Sequence, residues 1–184
     1  MTDPIGPGAF VAVTGASGVG KDALLSYARE RAGAAACFPR RAITRPAGPG
    51  EDHDPMDEDE FATALERGSF AVSWQAHGLR YGIPISIDAA VRAGRPVAVN
   101  VSRGVLGLLA SRYERLVVVR VTVPDAIRAA RLEARRRETT EDIVRRLDRV
   151  DPSPDHPVNV EISNDGTLDE GGTQLLRAIL DAVP

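Results

Sequence analysis

The stretch AFVAVTGASGVGKDALLSYARERAG (Ala9–Gly33) decides the fold that this sequence predicts. Its first residues form a short apolar run that is typical of a strand, and the residues from Lys21 onwards have the apolar spacing of a helix. Between them lies the loop Gly15–Lys21, with the spacing G-x-x-x-x-G-K. The backbone N–H groups of such a loop, together with the positive end of the following helix, bind phosphate groups. The segment therefore predicts a phosphate-binding loop, and the alternative is a glycine-rich turn without a ligand.

Lys21 is the single lysine among the 23 lysine and arginine residues of the chain. Mutational bias toward arginine codons explains the total, but it does not explain why the one exception lies in this loop. A lysine ammonium is a compact point charge that reaches between the β- and γ-phosphates of a nucleotide, where a planar guanidinium does not replace it well. Lys21 is therefore predicted to bind nucleotide phosphates.

Asp22 stands where the loop pattern has a Ser or Thr whose hydroxyl binds Mg²⁺. A carboxylate ~4 Å from a phosphate charge costs about 1 kcal/mol in water and ~4 kcal/mol at an effective dielectric of 20. A cation between the two groups reverses the sign, because Mg²⁺ favours carboxylate oxygen. We expect Asp22 to bind Mg²⁺ directly or through water, and the alternative is an inert aspartate in the first turn of the helix.

Composition narrows the class of protein. The 184 residues are predicted to form a single domain, and 43% apolar with 27% charged residues is typical of a globular protein. The net charge of −3 argues against a general nucleic-acid binder. Cys37 is the one cysteine, so neither an internal disulfide nor a thiol metal cluster is expected. Because no apolar run approaches ~20 residues and no secretion signal is recognisable, we expect a cytoplasmic protein without a membrane partner.

Strands and helices alternate along the rest of the chain, which predicts an α/β fold with a doubly wound parallel sheet. Continuous apolar runs, typical of strands buried in such sheets, are RPVAVNV (Arg95–Val101) and RLVVVRVTV (Arg115–Val123). Another strand is predicted in HPVNVEISN (His156–Asn164), before a C-terminal helix. Asn164 stands at the end of this stretch, after the strand itself. From this position alone, we expect Asn164 to lie near the adenine of a nucleotide.

The middle of the chain contains shorter elements. A strand is predicted in ACFPRRAIT, and SFAVSWQA and LRYGI are predicted to form two strands joined by a turn at His77-Gly78. DEDEFATALERG (Asp57–Gly68) predicts a helix with Asp57 and Glu60 as a capping pair. The polar stretch Arg45–Glu60 is predicted to be mobile, and a solvated charged surface is the alternative.

Arginines after Pro124 form a second candidate for phosphate chemistry. Arg131 and Arg135 are four residues apart and share a helix face, and Arg146 belongs to the next helical stretch. A helical hairpin with arginines from both arms is suited to close over a transferring phosphoryl group, whose charge must be stabilised. The alternative is a helix surface on which these arginines form salt bridges.

Further hydrogen-bond donors are spread between the first helix and Arg95, in RRAITRPAGPGE and GLRYG. They are Arg41, Thr44, Arg45 and Tyr81. The alternative for the two arginines is ordinary surface charge, and the alternative for Tyr81 is an ordinary strand aromatic. The three histidines lack metal-ligand spacing, so no role is predicted for them.

The phosphate-binding loop, TRPAGPGE, GLRYG and RLEARRRETTEDIVRRL together resemble the motifs of the guanylate kinase superfamily over nearly the whole chain. The resemblance implies a P-loop kinase fold, in which the doubly wound parallel sheet carries acceptor-binding and lid insertions. It implies one domain, 1–184, with its core in 8–43, 95–127 and 151–184, the acceptor-binding region in 44–94 and the lid in 128–150.

The departures from guanylate kinases are coherent. Guanylate kinases read the base with a Ser, a Glu and an Asp, and the aligned residues here are Arg41, Val72 and Ser102. Their second phosphate-binding Arg aligns with Gly48, and their first phosphate-binding Tyr has no counterpart. A pocket without acidic base readers would leave guanine N–H groups unpaired, at about 1–3 kcal/mol each when buried. Arg41 instead suits bidentate contact with a second phosphate.

GKD, ITRPA, SWQAHGLRYG and RLEARRRE resemble the motifs of ribose 1,5-bisphosphate phosphokinases within this superfamily. This resemblance implies phosphoryl transfer from ATP, with Mg²⁺, to the 1-phosphate of ribose 1,5-bisphosphate, giving 5-phosphoribosyl 1-diphosphate and ADP in phosphonate breakdown. The implied catalytic residues are Lys21, Arg131, Arg135 and Arg146. The implied ATP-binding residues are Gly15, Ala16, Ser17, Gly18, Val19, Gly20, Lys21 and Asp22. The implied acceptor-binding residues are Arg41, Thr44, Arg45, Tyr81 and Ser102.

Two other functions remain open from the sequence. One is a guanylate or other nucleoside monophosphate kinase. The other is a guanylate-kinase-like module that binds protein partners without catalysis. Such a module is expected to lose the phosphate-binding loop, whereas Gly15, Gly20 and Lys21 are all present.

Overall fold

Strands and helices alternate along the part of the chain that the structure describes. The structure, a computed structural model, describes residues 3–48, 52–134 and 156–183. The elements in chain order are β1 (Phe10–Thr14), α1 (Lys21–Ala32), β2 (Arg41–Ile43), β3 (His53–Pro55), α2 (Glu58–Glu66), β4 (Phe70–Ala76), β5 (Leu79–Pro84), α3 (Ile87–Arg92), β6 (Val97–Asn100), α4 (Leu106–Arg112), β7 (Leu116–Thr122), α5 (Asp125–Ala134), β8 (Val160–Ser163) and α6 (Leu168–Leu180).

Four strands form a parallel sheet in the order β6–β1–β7–β8. In the register of this sheet, Val11 of β1 pairs with Ala98 of β6 and with Val117 of β7. Every residue of β1 is buried, because a parallel sheet with helices on both faces excludes water from both sides of its central strands. The strands predicted from the continuous apolar runs and from HPVNVEISN are therefore confirmed.

Helices cover both faces of this parallel sheet. On one face, Val11 and Val13 belong to a buried cluster with Leu24 of α1 and Leu175 of α6. On the other face, Phe10 and Ala12 cluster with residues of α3 and α4, which include Val91, Leu106 and Leu109. Successive residues of β1 point to opposite faces, as strand geometry requires. The predicted doubly wound α/β fold is confirmed.

The other four strands form a mixed sheet in the order β3–β2–β5–β4. β2 and β3 are parallel, whereas β5 is antiparallel to both β2 and β4. The turn between β4 and β5 is at His77 and Gly78, which have φ values of 58° and 72°. Helix α2 begins with a capping box, in which Asp57 and Glu60 each bond the other's backbone N–H. The predicted hairpin and capping pair are confirmed.

Strand β3 lies in the polar stretch Arg45–Glu60, where the sequence predicts no strand. His53 pairs with Arg41 of β2 in parallel register, and His53 is only 2% exposed. Asp and Pro in this strand are poor strand formers, so local propensity does not indicate it. Nη2 of Arg40 donates to the carbonyl O of His53 at 2.7 Å. Strand β3 is therefore contacted by a residue that is distant from it in sequence.

Most of the predicted lid, 128–150, lies outside the described residues. Helix α5 is described as far as Ala134, so Arg131 is within the structure, whereas Arg135 and Arg146 are outside it. None of the helices formed by the described residues combines the length and the apolar character that crossing a membrane requires.

Candidate active site

The loop after β1 has the backbone conformation that a phosphate-binding loop needs. Gly15 and Gly20 have φ values of 141° and 92°, which L side chains rarely adopt. Space is also restricted, because a Cβ on Gly15 would overlap the carbonyl O of Val121, and a Cβ on Gly20 would overlap Nδ2 of Asn164. Glycine at both positions therefore follows from the shape of the loop.

The side chain of Lys21 folds back over the loop. Its Nζ donates to the carbonyl O of Gly15 at 2.8 Å and to the carbonyl O of Ala16 at 2.9 Å. Lys21 is also the first residue of α1, so its ammonium and the positive end of the helix lie at the same place. This concentration of positive charge is what polyphosphate binding requires.

Three side chains hold the loop from the β8 and α5 side through its carbonyl groups. Nδ2 of Asn164 donates to the carbonyl O of Val19 at 2.8 Å, and Asn164 is 6% exposed. Arg131 donates through Nη2 to the carbonyl O of Asn164 at 2.9 Å, and through Nη1 to Val19 at 3.4 Å. Nε of Arg128 donates to the carbonyl O of Ser17 at 3.1 Å. Because these side chains hold its carbonyl groups, the backbone of the loop is fixed, and the loop is preorganised for a ligand.

Among these three side chains, the sequence singled out Arg131 as catalytic, and the structure brings it to the loop. Its described contacts are with backbone carbonyl groups of Val19 and Asn164. The supporting contacts of Arg128 and Asn164 were not predicted. Each joins residues more than 100 positions apart, so neither local pattern nor spacing could have indicated them.

Asp22 lies where β6 meets the first turn of α1. Oδ1 of Asp22 accepts a hydrogen bond from Nδ2 of Asn100 at 2.9 Å. Asn100 is the last residue of β6, and the carboxyl ends of parallel strands are where α/β proteins bind ligands. The Asn100 bond fixes the direction of the Asp22 carboxylate, a contact that the sequence did not predict.

An open cleft runs from Asp22 between α1 and the mixed sheet. One wall is a face of α1, and the other is formed by the end of β6 and the residues of β2 and β3. Its charged and amide-bearing side chains are Asp22, Arg29, Arg41, Arg45, Asp52 and Asn100. The structure therefore brings the predicted metal-binding residue and two of the predicted acceptor-binding residues to one cleft.

The other predicted acceptor-binding residues have different surroundings. Oγ1 of Thr44 accepts from the backbone N–H of Arg80 at 2.9 Å, which joins the end of β2 to β5. The ring of Tyr81 stacks on Trp74 with centroids 5.2 Å apart, and Cζ of Arg41 is 5.9 Å from the centroid of Tyr81. Thr44 and Tyr81 are not among the described residues that line the cleft.

Ser102 follows β6 by two residues, at the start of the turn Arg103–Val105. It too is absent from the described lining of the cleft. Val72, at a guanylate kinase base-reading position, is buried in β4 at 7% exposure. Its side chain offers no hydrogen-bond acceptor, as the sequence comparison with guanylate kinases implies.

Arg29 and Asp52 are cleft residues that the sequence did not single out. Nη1 of Arg29 donates to Oδ2 of Asp52, so a residue of α1 contacts a residue beside β3. Arg29 could have been found from its spacing, because it lies seven positions after Asp22 and therefore on the same face of α1. Asp52 could not, because its segment has no regular pattern.

Cys37, between α1 and β2, is poorly suited to nucleophilic chemistry. Burial raises the pKa of its thiol above the ordinary value, and the nearby Arg95 only partly opposes this shift. The thiolate is the reactive form of cysteine. A covalent mechanism through this residue is therefore not indicated.

Two curated proteins are similar to this chain over nearly its whole length. The ribose 1,5-bisphosphate phosphokinase PhnN of Pseudofrankia inefficax is 66% identical over 182 residues, which cover 99% of this chain and 96% of that protein. The ribose 1,5-bisphosphate phosphokinase PhnN of Chelativorans sp. is 43% identical, with 97% of this chain and 88% of that protein covered. No protein-family model matches the chain.

Two solved structures share the fold. Guanylate kinase from Anaplasma phagocytophilum has a TM-score of 0.67 and 19% identity, covering 99% of this chain and 88% of its own. A gluconokinase from Sinorhizobium meliloti has a TM-score of 0.54 and 17% identity, covering 96% of this chain and 94% of its own. At these identities the likeness concerns the fold alone, and it confirms the predicted P-loop kinase architecture.

Proposed function

The chain belongs to the ribose 1,5-bisphosphate phosphokinase family, and we propose that it transfers the γ-phosphoryl group of ATP to the 1-phosphate of ribose 1,5-bisphosphate. The products are 5-phosphoribosyl 1-diphosphate and ADP, and the proposed context is phosphonate breakdown. The observation that carries this proposal is the 66% identity to a phosphokinase of that name over 99% of the chain. The held phosphate-binding loop beside a cleft rich in arginine supports it.

In the proposed reaction, the loop residues Gly15–Asp22 bind the phosphates of ATP. Their backbone N–H groups and the Lys21 ammonium face the β- and γ-phosphates. Arg131 is proposed to close over the γ-phosphoryl group together with Arg135 and Arg146, which lie outside the described residues. Positioning and charge stabilisation then supply most of the rate enhancement.

Asp22 is the residue proposed to hold Mg²⁺. The donor set fits this ion, because Mg²⁺ is usually held by one or two carboxylates, several waters and the phosphates of the substrate. Among the described residues, no group of three His, Cys, Asp or Glu side chains could form an all-protein site. When bound, Mg²⁺ neutralises charge that develops on the phosphates. Oδ1 of Asp22 is oriented by Asn100, which is the usual role of a group behind a metal ligand.

The acceptor is proposed to bind in the cleft between α1 and the mixed sheet. Arg41 and Arg45 line this cleft, and guanidinium groups bind phosphate with bidentate geometry. Thr44 and Tyr81 are proposed to bind the acceptor together with the two arginines, and Ser102 is proposed to contact its sugar. Tyr81 lies under the Arg41 guanidinium, which restricts the orientation of that group.

The nucleophile is an oxygen of the substrate's own 1-phosphate. It attacks the γ-phosphorus of ATP, the bond from that phosphorus to the β–γ bridging oxygen breaks, and ADP leaves with the electron pair. Because a phosphate is already ionised near neutral pH, no side-chain base is required. The reaction is therefore consistent with a cleft whose protein groups bind and orient rather than exchange protons.

We also propose the division of one domain into a core (8–43, 95–127 and 151–184), an acceptor-binding region (44–94) and a lid (128–150). The proposed partners are ATP and a phosphorylated sugar, without nucleic acid or membrane, and the proposed location is the cytoplasm. The net charge of −3 supports the absence of a nucleic-acid partner.

A ³¹P NMR assay tests this function. Purified protein is incubated with ATP, Mg²⁺ and either ribose 1,5-bisphosphate or GMP. A diphosphate doublet distinct from that of ADP is expected only in the sample that contains ribose 1,5-bisphosphate. Rapid phosphorylation of GMP without conversion of the sugar would instead assign a nucleoside monophosphate kinase. The absence of both ATP binding in calorimetry and turnover would support the non-catalytic module.

A further inference from the structure

One face of α1 forms a wall of the cleft from the first turn of the helix, next to the phosphate-binding loop, as far as Arg29. Asp22, Leu25, Ser26 and Arg29 all line the cleft. Their spacing keeps them on one face of the helix. At a rise of 1.5 Å per residue, Asp22 and Arg29 are about 10 Å apart along the helix axis. The cleft therefore has a cation at the end that is remote from the loop.

A carboxylate beside β3 directs the guanidinium of Arg29. Oδ2 of Asp52 accepts from Nη1 of Arg29, and Oδ1 of the same carboxylate is 3.0 Å from Nε of Arg40. Arg40 in turn donates to the carbonyl O of His53 at 2.7 Å. Asp52 is thus held by the mixed sheet while it contacts α1. A guanidinium has five N–H donors, so this one contact does not exhaust the binding capacity of Arg29.

The Arg29–Asp52 pair is poorly suited to a purely structural role. The two side chains are 45% and 42% exposed, and ion pairs this exposed contribute little to stability. Their position at the cleft matters more, because the described residues that line it include three arginines and two aspartates. Among the described lining residues the arginines outnumber the carboxylates by one, which favours an anionic ligand.

We infer that Arg29 is a specificity-determining residue, which binds the acceptor phosphate remote from the transfer reaction, with Asp52 as its positioning residue. The inference rests on the proposed function, in which the acceptor has phosphates at opposite ends of a pentose. The phosphate that reacts must lie near Lys21, so the other extends along α1 toward its last turns. Arg29 meets it there from α1, and Arg41 meets it from the opposite wall.

Two ribose monophosphates test the two ends of the cleft separately. Ribose 5-phosphate has only the remote phosphate, and ribose 1-phosphate has only the reacting one. Each is titrated into wild-type protein and the Arg29→Gln variant, and affinities are measured by heteronuclear NMR. We expect Arg29→Gln to weaken ribose 5-phosphate binding about 10–100-fold, as expected for loss of a hydrogen bond to a charged group. Binding of ribose 1-phosphate should change less than about twofold.

Arg31→Gln is the matched control on the same helix. Arg31 lies over the ring of Tyr27, with Cζ 3.4 Å from the ring centroid, so its loss should leave both affinities unchanged. Arg29→Lys keeps the charge and should restore part of the ribose 5-phosphate affinity. Thermal unfolding of all variants identifies any that fail to fold. If Arg29→Gln does not fold, the affinities of Arg29→Lys are compared with those of the wild type instead.

The outcomes distinguish this inference from the proposed function. Equal losses for both ligands in Arg29→Gln, no loss for either, or no ribose 5-phosphate binding by the wild type would overturn the role of Arg29. Failure of the wild type to convert ribose 1,5-bisphosphate with ATP would overturn the proposed function. Conversion by the wild type together with unaltered ribose 5-phosphate binding by Arg29→Gln would overturn the inference alone.

Discussion

The parallel sheet and the mixed sheet hold their sides of the cleft by different means. Behind the phosphate-binding loop, buried groups such as Asn164, at 6% exposure, donate to backbone carbonyl groups. Beside the mixed sheet, Arg29, Arg40, Asp52 and Asp54 form ion pairs whose side chains are 42–53% exposed. Buried hydrogen bonds are costly to leave unmade, whereas exposed ion pairs contribute about 0–1 kcal/mol. The loop is therefore held rigidly, whereas the ion pairs beside the mixed sheet add little to stability.

Lys21→Met gives the largest expected effect, and it concerns the parallel sheet. Loss of the ammonium should lower kcat by about 10²–10³-fold, because one group that stabilises transition-state charge is worth about that much. Steady-state kinetics with ATP and ribose 1,5-bisphosphate measure the loss. Near-normal thermal stability is expected, since the hydrogen bonds from Lys21 to the carbonyl groups of Gly15 and Ala16 are only partly buried. A variant that keeps most of its activity would contradict the role of Lys21.

Arg41→Gln tests the other side of the cleft. We expect kcat/KM for ribose 1,5-bisphosphate to fall about 10–100-fold, since a charge-assisted hydrogen bond to phosphate is lost. The KM for ATP should stay within about twofold, because Arg41 lies on the mixed sheet. If the KM for ATP changed as much as kcat/KM for ribose 1,5-bisphosphate, the two sides of the cleft would not act separately.

Asp22→Asn tests the junction of the two sides. The amide oxygen still accepts from Asn100, so the orientation is kept while the charge is removed. Loss of a group that supports a metal ligand usually costs about 10–100-fold, and we expect a loss at the lower end of this range where waters and phosphates supply the other ligands. The rate is expected to fall about tenfold, with a higher Mg²⁺ requirement. Unchanged rate and Mg²⁺ dependence would exclude the proposed role.

Asn164→Ala and Asp54→Asn compare the stability contributions of the two sides, where the smallest effects are expected. Asn164→Ala should lower the free energy of unfolding by about 1–3 kcal/mol, because it removes a buried hydrogen bond. Asp54→Asn should lower it by about 0–1 kcal/mol, because the pair with Arg40 is exposed. Thermal unfolding measures both, at about 2–4 °C per kcal/mol for a chain of this size. Similar losses in the two variants would contradict the contrast between the sheets.

The parallel sheet was predictable from the sequence because its signals are local. The apolar run at Phe10–Thr14, the glycine spacing and the helix from Lys21 are contiguous, and each follows from strand, turn or helix chemistry. The same is true of the capping box of α2 and the hairpin at His77-Gly78. These features need no knowledge of distant parts of the chain.

The mixed sheet and the support of the loop were less predictable because they depend on distant residues. Strand β3 is short, contains Asp54 and Pro55, and pairs with β2 across a polar segment. Asn164 reaches Val19 across 145 positions. The roles assigned to Arg41, Thr44, Arg45, Tyr81 and Ser102 remain predictions, and only the two arginines line the described cleft.

The position of the one lysine side chain in this protein makes it a natural chemical reporter. Because Lys21 is the chain's single lysine and its Nζ is engaged by Gly15 and Ala16, amine-acylating reagents can modify no other lysine side chain, and peptide mapping separates this site from an α-amino group. The extent of acylation, measured by mass spectrometry, therefore reads out the state of the loop without any engineered label.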